Sequence, residues 1–303
     1  MQSTNKVLMV RPVKFGYNEQ TAENNSFQVK GDQELALKES INEFDQFVKL
    51  LQDNGVNVIV VQDTEIPHTP DSIFPNNWFS THEEGDLVLY PMCAPNRRLE
   101  RKEGVMDAIR ANFKIANLID LTGWEQKDKF LEGTGSMVLD RENMIAYACI
   151  SARTDEAVLE EFCDKTGYDF VAFGAYDQND NPIYHTNVMM CVGSEFAVVC
   201  LDAITDLEER VQLIEMIEET DKEIIEISLE QMGFFAGNML ELRDKDDEPI
   251  LVMSKTAYNS LEDEQIQILS TYCKIITPDI NNIEINGGGS ARCMIADPPP
   301  LKR

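Results

Sequence analysis

Several common sequence signals are absent from this chain. Its 303 residues include no C-x-x-C pair, and no apolar run approaches the roughly 18 residues that a membrane-spanning helix needs. The first residues, MQSTNKVLMVRP, have no charged region followed by an apolar segment of signal-peptide length. These absences predict a soluble, cytoplasmic protein with no targeting segment and no membrane partner.

Basic residues are scarce. Lysine and arginine together number 26 against 54 aspartates and glutamates, which gives a formal net charge of −28 at pH 7. A chain this acidic repels nucleic acid and anionic lipid. We therefore expect no nucleic-acid partner, and we attribute the charge to solubility with some attraction for cationic solutes.

Cysteine and histidine are also few, and neither is spaced for metal binding. The seven cysteines are odd in number and scattered, mostly within apolar runs such as residues 188–192, which is typical of reduced thiols in the cytoplasm. Only three histidines occur, at positions 68, 82 and 185, and they lack close cysteine or histidine partners at zinc-site spacing. The sequence predicts neither a metal nor an organic cofactor.

The chain does contain an internal repeat. Strand-like and helical patterns recur in the order strand, helix, strand, polar loop. The intervals between equivalent loop positions are 58, 52, 51 and 52 residues, and these positions are Asn77, Gly135, Asn187, Asn238 and Ser290. After each of the first four come an apolar run, a turn and a second apolar run. This shared order argues against a chance alternation of helices and strands.

The fifth repeat is incomplete, because only a short apolar run at 293–295 precedes the final PPPLKR. The strand-like residues 7–10 supply what is missing, so that five units close into a ring through the two ends of the chain. The predicted fold class is α/β, a ring of five ββαβ units that forms one domain over residues 1–303.

Closing the ring brings the polar loops to one end of its axis. Glu132 and His185 lie in two of these loops, and Cys293 follows the glycines at 287–289. A cysteine with a histidine is the minimum set for nucleophilic attack with proton transfer, and Glu132 could orient the imidazole or bind a substrate N–H. Each residue also has an ordinary structural interpretation: a buried thiol after a turn, a hydrogen-bonded core histidine, and a solvated or capping carboxylate.

These residues carry a resemblance to a known superfamily, the pentein or guanidine-modifying enzymes, and to the arginine deiminases within it. The resemblance covers nearly the whole chain and lies in seven motifs: EG at 132–133, HTN at 185–187, GxxxC at 289–293, FPNNW at 74–78, LEGTGS at 131–136, SART at 151–154 and PMCAPNRRLE at 91–100. It implies a five-bladed α/β propeller around a central polar channel. It further implies Cys293 as nucleophile, His185 as general acid and base, and Glu132 as the partner of His185.

The resemblance also implies an amino-acid substrate, whose α-carboxylate is held by Arg153 together with Arg97 or Arg98. Two positions depart from the arginine-deiminase pattern, because Asn77 and Asn187 stand where those enzymes have guanidinium-binding aspartates. A carboxylate facing a neutral group lacks a counter-charge, whereas a carboxamide both donates and accepts hydrogen bonds. The amides therefore fit a neutral ureido group, and the pattern is similar to that of citrulline-utilisation hydrolases.

Our hypothesis is a cysteine-dependent hydrolase that converts citrulline to ornithine, ammonia and carbon dioxide. The main-chain amides at 287–289 and the side chain of Arg292 are expected to stabilise negative charge near the thiol. The alternatives are a deiminase of arginine or methylated arginine, an amidinotransferase, and a binding protein on the same fold. The expected partner is a small amino-acid substrate, and the sequence leaves the formation of homo-oligomers open.

Overall fold

The computed structural model describes residues 1–31 and 33–297. Within them the chain forms fourteen strands, which are β1 (Lys6–Arg11), β2 (Asn57–Gln62), β3 (Phe79–Thr81), β4 (Asp86–Leu89), β5 (Asn117–Asp120), β6 (Val138–Asp140), β7 (Ile145–Cys149), β8 (Asp169–Phe173), β9 (Met190–Val192), β10 (Phe196–Val199), β11 (Glu223–Glu226), β12 (Leu240–Arg243), β13 (Pro249–Val252) and β14 (Lys274–Ile276).

The same residues form eleven α-helices, which are α1 (Glu19–Ala22), α2 (Gln33–Asp53), α3 (Glu103–Asn112), α4 (Gly133–Ser136), α5 (Glu156–Thr166), α6 (Thr186–Met189), α7 (Leu207–Glu218), α8 (Leu229–Gly233), α9 (Lys255–Ser260), α10 (Asp263–Tyr272) and α11 (Asn281–Gly287). They also form five short 3₁₀ helices, at Pro75–Asn77, Arg97–Glu100, Thr122–Lys127, Leu201–Ala203 and Ala291–Met294.

Four of the five sheets repeat one arrangement. Each contains three strands, in the orders β3-β4-β5, β6-β7-β8, β9-β10-β11 and β12-β13-β14. In every one the first two strands are antiparallel and the last two are parallel. A parallel pair needs a crossover connection, and α3, α5, α7 and α10 provide it in turn. The predicted ββαβ order is therefore present in these units.

The fifth unit joins the two ends of the described chain. Strand β1 pairs in parallel with β2, and α2 forms the crossover between them. In place of a third strand, Leu8 pairs with Ala296. The Leu8 N–H donates to the Ala296 carbonyl over 2.9 Å, and the Ala296 N–H donates to the Leu8 carbonyl over 3.0 Å. Residues from both ends of the sequence thus complete one unit, as the repeat pattern predicts.

The crossover helices follow from local sequence features. Helix α2 places Phe44, Phe47 and Leu51 on one buried face, because residues three or four apart lie on the same side of an α-helix. The chain leaves this helix through Gly55, whose φ of +85° is readily adopted by glycine. Helix α5 begins where the side chain of Asp155 accepts a main-chain N–H over 3.0 Å. These signals fix where each crossover starts and stops.

The apolar core continues from blade to blade. Strands β7 and β10, the middle strands of their sheets, are buried along their whole length. Val171, Val198 and Leu251 come from three different blades and are buried in one cluster. Burying a side chain of this kind stabilises the fold by about 1.5–3 kcal/mol, so packing between blades holds the ring together.

The predicted polar loops are short helices in the structure. Each of four marker segments makes a single turn, at Pro75–Asn77, in α4, in α6 and at Ala291–Met294. Hydrogen bonds link neighbouring segments around the axis: Asn76 Nδ2 to Thr134 Oγ1 (3.3 Å), Thr186 Oγ1 to the Ser136 carbonyl (2.5 Å), Asn238 Nδ2 to the Asn187 carbonyl (2.8 Å), and the Arg292 N–H to Asn238 Oδ1 (3.0 Å). The loop prediction was wrong in this detail, because a buried chain reversal must satisfy its own N–H groups and a helical turn does so.

No helix within the described ranges is long and apolar enough to cross a membrane. The predicted single domain of residues 1–303 includes Asp32 and residues 298–303, which lie outside the described residues. The single domain stays a prediction.

Gly237→Ala is expected to destabilise the contact between two blades. A Cβ at this position would overlap the carbonyl oxygen of Val188 and lie 2.5 Å from the carbonyl carbon of Met189. Main-chain atoms cannot yield as a flexible side chain does, so we expect the free energy of unfolding to fall by about 1–3 kcal/mol in urea denaturation. Gly104→Ala is the matched control, because nothing lies within 4 Å of its added Cβ. Equal losses of unfolding free energy in the two variants would contradict the close packing of Gly237 against the neighbouring blade.

Candidate active site

A polar cavity lies at the end of the axis where the short helices meet. It is lined by Thr21, Asn25, Asp71, Phe74, Asn77, Arg97, Arg153, Tyr184, His185, Gly287, Gly288, Gly289 and Cys293. This wall includes five of the eight residues predicted from the sequence, drawn from four different blades. The fold therefore brings together side chains that are far apart in the chain.

The glycines at 287–289 lead into the turn that carries Cys293, the candidate nucleophile. Helix α11 ends at Gly287, and Gly288 then takes a φ of +64° before the chain enters the 3₁₀ helix that carries Cys293. The Cys293 residue is only 3% exposed. Its Sγ accepts hydrogen bonds from the side-chain amides of Asn187, at 3.4 Å, and Asn238, at 3.3 Å. The thiol is thus held on the cavity wall by two carboxamides.

His185 and Glu132 form a buried pair across two blades. His185 Nε2 and Glu132 Oε2 are 2.8 Å apart. Burial lowers the pKa of His185 to about 4, although the hydrogen bond with Glu132 acts in the opposite direction. The imidazole is therefore neutral near pH 7, and its Nε2–H donates to the carboxylate while Nδ1 remains an acceptor. In this state Nδ1 can take up a proton.

The Glu132 carboxylate is fully buried and contacts several groups. Its Oε1 accepts the Cys93 N–H over 3.0 Å, and its Oε2 lies 3.4 Å from Arg153 Nη1 and 3.9 Å from Arg97 Nη1. Burial alone raises the pKa of this carboxyl, but the charge of Arg153, the hydrogen bond with His185 and the charge of Arg97 outweigh burial and hold the pKa below its usual value. Glu132 is therefore ionised and fixes the orientation of the imidazole.

Asn77 and Asn187 present opposite hydrogen-bonding groups. Asn77 Oδ1 accepts from Arg97 Nη1 over 2.7 Å, and its Nδ2 has no partner among the described residues. Asn187 Nδ2 donates to the Cys293 thiol, and its Oδ1 is likewise unpaired within the part of the chain that the structure describes. Leaving a buried polar group unpaired costs about 1–3 kcal/mol, so the free Nδ2 of Asn77 on the cavity wall indicates a ligand position. Asn187 lies behind the Cys293 sulfur and lines a second cavity.

Two of the predicted arginines lie on the cavity wall with different partners. Arg97 donates to Glu100 through Nε, over 2.9 Å, and through Nη2, over 3.0 Å, so a buried carboxylate compensates its charge. Arg153 donates from Nη1 to Glu132 Oε2 over 3.4 Å, but its other two groups donate to neutral oxygens, from Nε to Asn24 Oδ1 over 2.8 Å and from Nη2 to the Thr21 carbonyl over 2.9 Å. An incoming carboxylate could replace these neutral acceptors on Arg153 more easily than it could replace Glu100 on Arg97.

Two other arginines lie off the cavity wall. Arg98 donates to the main-chain carbonyls of Met92, over 2.9 Å, and Cys93, over 3.2 Å. Arg292 pairs with Asp297 at 2.9 Å and lines a different cavity. The expectation that Arg292 stabilises charge near the thiol was therefore wrong. Successive residues on a 3₁₀ turn point to different sides, so adjacency to a wall residue does not place a side chain on the wall.

Sequence reasoning missed an acidic residue of the cavity, Asp71. It is 2% exposed, and its Oδ2 accepts from Asn18 Nδ2 over 2.7 Å and from Thr21 Oγ1 over 3.1 Å. Its Oδ1 has no partner among residues 1–31 and 33–297. The only sequence signal was an acid in the proline-rich loop before FPNNW, which is too general to identify a binding residue.

A segment near the amino terminus covers the cavity. Asn25 Nδ2 donates to the Gly288 carbonyl over 3.2 Å, and Gln28 Nε2 donates to the Gly287 carbonyl over 3.2 Å. This cover was not predicted, because residues 18–28 have no apolar periodicity.

Within the described chain, no group of three or more His, Cys, Asp and Glu side chains is placed so that it could hold a metal ion.

Solved structures share this fold. The N-terminal domain of ArgZ, an arginine dihydrolase from cyanobacteria crystallised with its substrate, has a TM-score of 0.75 and 16% identity, over 98% of this chain and 99% of that chain. AgrE in complex with L-arginine has a TM-score of 0.77 and 16% identity, over 98% of this chain and 40% of that chain. DDAH from Pseudomonas aeruginosa in complex with citrulline has a TM-score of 0.69 and 14% identity, over 97% and 99%. The predicted pentein fold is confirmed.

Sequence comparison is informative at the level of the family. No curated protein sequence matches the chain. A family model described as N,N dimethylarginine dimethylhydrolase, eukaryotic, matches residues 11–298. This match confirms the resemblance to the guanidine-modifying superfamily and the predicted enzyme class, a hydrolase of C–N bonds other than peptide bonds. The chain belongs to the N,N dimethylarginine dimethylhydrolase family.

Proposed function

We propose that the protein hydrolyses the ureido group of a free amino acid, with citrulline as the first candidate. The observation that carries this proposal is the unpaired donor of Asn77 and the unpaired acceptor of Asn187 beside the Cys293 thiol. A ureido group has one carbonyl oxygen and several N–H donors, so it satisfies both amides. A guanidinium has only donors, and turning the Asn77 amide to meet them would break its 2.7 Å hydrogen bond from Arg97.

In the proposed reaction, His185 Nδ1 takes the thiol proton and Cys293 Sγ attacks the ureido carbon. The C–S bond forms, the bond to the terminal nitrogen breaks, and His185 returns the proton so that this nitrogen leaves as ammonia. Water, deprotonated by His185, then attacks the thiocarbamate, and the C–S bond breaks with its electrons returning to sulfur. The carbamate product decomposes to ornithine and carbon dioxide. Glu132 keeps the imidazole oriented and stabilises its transient positive charge.

The same cavity has groups for the amino-acid end of the substrate. We assign the α-carboxylate to Arg153, whose outer partners are neutral oxygens, and the α-ammonium to the unpaired Oδ1 of Asp71. The position of Arg153 and Asp71 on the same cavity wall as the thiol supports a small amino acid as the substrate.

We also propose that the protein is cytoplasmic. This is supported by the absence of disulfides among the seven cysteines, all of which lie within the described chain.

Arginine is the second candidate substrate. The complexes of the arginine dihydrolase ArgZ with its substrate and of AgrE with L-arginine favour it, whereas the family name favours a dimethylarginine. In that reaction the thiol attacks the guanidino carbon, and two hydrolytic cycles release two molecules of ammonia with ornithine and carbon dioxide. A dimethylarginine would instead release dimethylamine and leave citrulline after one cycle. The products distinguish all three reactions.

Product analysis with a panel of citrulline, arginine and dimethylarginine tests the proposal. We expect citrulline to give ammonia and ornithine in equal amounts, and Cys293→Ala to lower kcat by about 10⁴-fold or more with the fold retained. Cys163→Ala, which removes a buried thiol from helix α5, is the matched control and should keep turnover. Ornithine with twice its amount of ammonia from arginine, and no turnover of added citrulline, would replace the first candidate with the second.

Asn77→Asp is expected to move preference from citrulline towards arginine. The new carboxylate would still accept from Arg97, but it would present an acceptor where the wild type presents a donor. We expect the ratio of kcat/KM for arginine to that for citrulline to rise about tenfold or more, because hydrogen bonds to charged groups are worth about 1.5–3 kcal/mol. Measuring the ratio in one preparation corrects for loss of active protein. An unchanged ratio would show that this amide does not select the substrate.

Asp71→Asn is expected to weaken binding of the α-ammonium group. For citrulline we expect kcat/KM to fall about tenfold or more, since a charge-assisted hydrogen bond is lost. The substrate analogue 5-ureidopentanoate lacks the amino group, so its kcat/KM should change little in the same variant. A similar loss for both compounds would mean that Asp71 supports the cavity wall rather than the ammonium group.

A further inference from the structure

We propose that Asn238 is a catalytic residue that stabilises the thiolate of Cys293 by donating a hydrogen bond to its sulfur. The inference rests on the proposed role of Cys293 as nucleophile and deepens it. In the sequence, Asn238 stands out only as a marker of the fourth repeat. In the structure it is fully buried, and its Nδ2 lies 3.3 Å from Cys293 Sγ.

The surroundings of Asn238 fix which end of its amide faces the sulfur. Its Oδ1 accepts the Arg292 N–H over 3.0 Å, and its Nδ2 also donates to the Asn187 carbonyl over 2.8 Å. Turning the amide over would lose both hydrogen bonds and place two oxygens against each other. The Oδ1 lies 3.8 Å from Sγ, so it can also accept from the neutral thiol. The geometry thus holds a fixed N–H donor against the sulfur.

The charged groups around the cavity are committed elsewhere. His185 donates from Nε2 to Glu132, and its burial keeps it neutral near pH 7, so it does not supply a cation beside the sulfur. The guanidinium of Arg292 is paired with Asp297, and on the cavity wall Arg97 is paired with Glu100 and Arg153 with Glu132. Within the described chain the side chains that donate to Sγ are the amides of Asn187 and Asn238. The side-chain hydrogen bonds that a thiolate at this position accepts therefore come from neutral donors.

An unfavourable backbone conformation supports a functional placement of Asn238. Phe235 has a φ of +63°, which is unusual for a bulky residue and costs of the order of 1–3 kcal/mol. Two residues later, Gly237 packs against the main chain at Met189 so closely that no side chain fits. Together these features carry Asn238 between the blade of Asn187 and the turn of Cys293. The strained turn at Phe235 thus places the Asn238 amide within hydrogen-bonding distance of the sulfur.

The thiolate occurs twice in the proposed reaction. It forms when the thiol proton moves to His185 before the attack, and it forms again when the C–S bond of the thiocarbamate breaks and its electron pair returns to sulfur. In the covalent intermediate the sulfur carries no full charge. A hydrogen bond from Asn238 therefore favours activation of the nucleophile and its later release.

Alkylation of Cys293 by iodoacetamide tests the inference without any substrate. The extent of alkylation is measured by mass spectrometry of the peptide containing Cys293, in the wild type, Asn238→Ala and Asn238→Asp. At pH 7 we expect the rate to fall about tenfold or more in Asn238→Asp, where a carboxylate faces the sulfur, and less in Asn238→Ala. In both variants the deficit should close at a pH high enough to ionise any thiol, because access to the sulfur is unchanged.

Asn286→Asp is the matched control, since it also introduces a carboxylate at a buried amide, on helix α11, without contacting Cys293. Its alkylation rate at pH 7 should match that of the wild type. Urea denaturation identifies which Asn238 variants are folded, and one folded variant suffices. An unchanged rate at pH 7, or a deficit that persists at high pH, would overturn the inference. If the wild type turns over no ureido or guanidino substrate but the pH-dependent deficit is seen, the role of Asn238 is supported and the proposed function is not.

Discussion

The antiparallel pairing of Leu8 with Ala296 is the contact on which the rest of the structure depends. Without it the sheet of β1 and β2 has only two strands, and the unit that joins the two ends of the described chain is incomplete. Cys293 lies only three residues before Ala296, in the turn that this pairing anchors. Closure of the fold and placement of the thiol are therefore one structural event.

The centre of the ring concentrates polar groups in a region that is buried from solvent. Glu132 is fully buried, and its charge is stabilised because Arg153, Arg97 and His185 surround it. Removing one partner from such a set leaves an uncompensated buried charge, which is usually worse than removing the whole set. This coupling gives the imidazole one orientation and one tautomer. The orientation of the imidazole is thus fixed by its buried charged partners.

Three buried polar atoms at the site have no hydrogen-bond partner among the described residues, and each lowers the stability of the fold. Asn77, Asn187 and Asp71 each leave one side-chain atom without a hydrogen bond among the described residues. Each atom carries a desolvation cost that a better-packed core would avoid. Asn77 and Asp71 line the cavity of Cys293, and Asn187 donates to the Cys293 sulfur, so this cost can be offset when a polar ligand binds there. Stability and binding are in conflict at these positions, as expected for a functional site.

Periodicity made the architecture predictable. The spacing of Phe44, Phe47 and Leu51 marks a crossover helix, and the same order of apolar runs returns in each later unit. The ring then follows from the incomplete fifth unit, and with it the meeting of Cys293 and His185 at one cavity.

Side-chain direction was not predictable in the same way. Arg97 and Arg98 are neighbours in sequence, yet only Arg97 lies on the cavity wall, because the turn that carries them was not evident. Arg292 was misplaced for the same reason. The hydrogen bond from Asn238 to the thiol depends on a strained turn, and a positive φ at a phenylalanine leaves no mark in the sequence.

The position of Leu8 and Ala296 at opposite ends of the described chain has a consequence for biosynthesis. During translation, four blades emerge from the ribosome before the segment that carries the thiol, and the first blade must wait for that segment to complete its sheet. Contacts between residues so distant in sequence form slowly. The segment that carries Cys293 is therefore placed only after the four other blades have been made, in the same step that pairs the exposed edge of β1 and protects it from pairing with other chains.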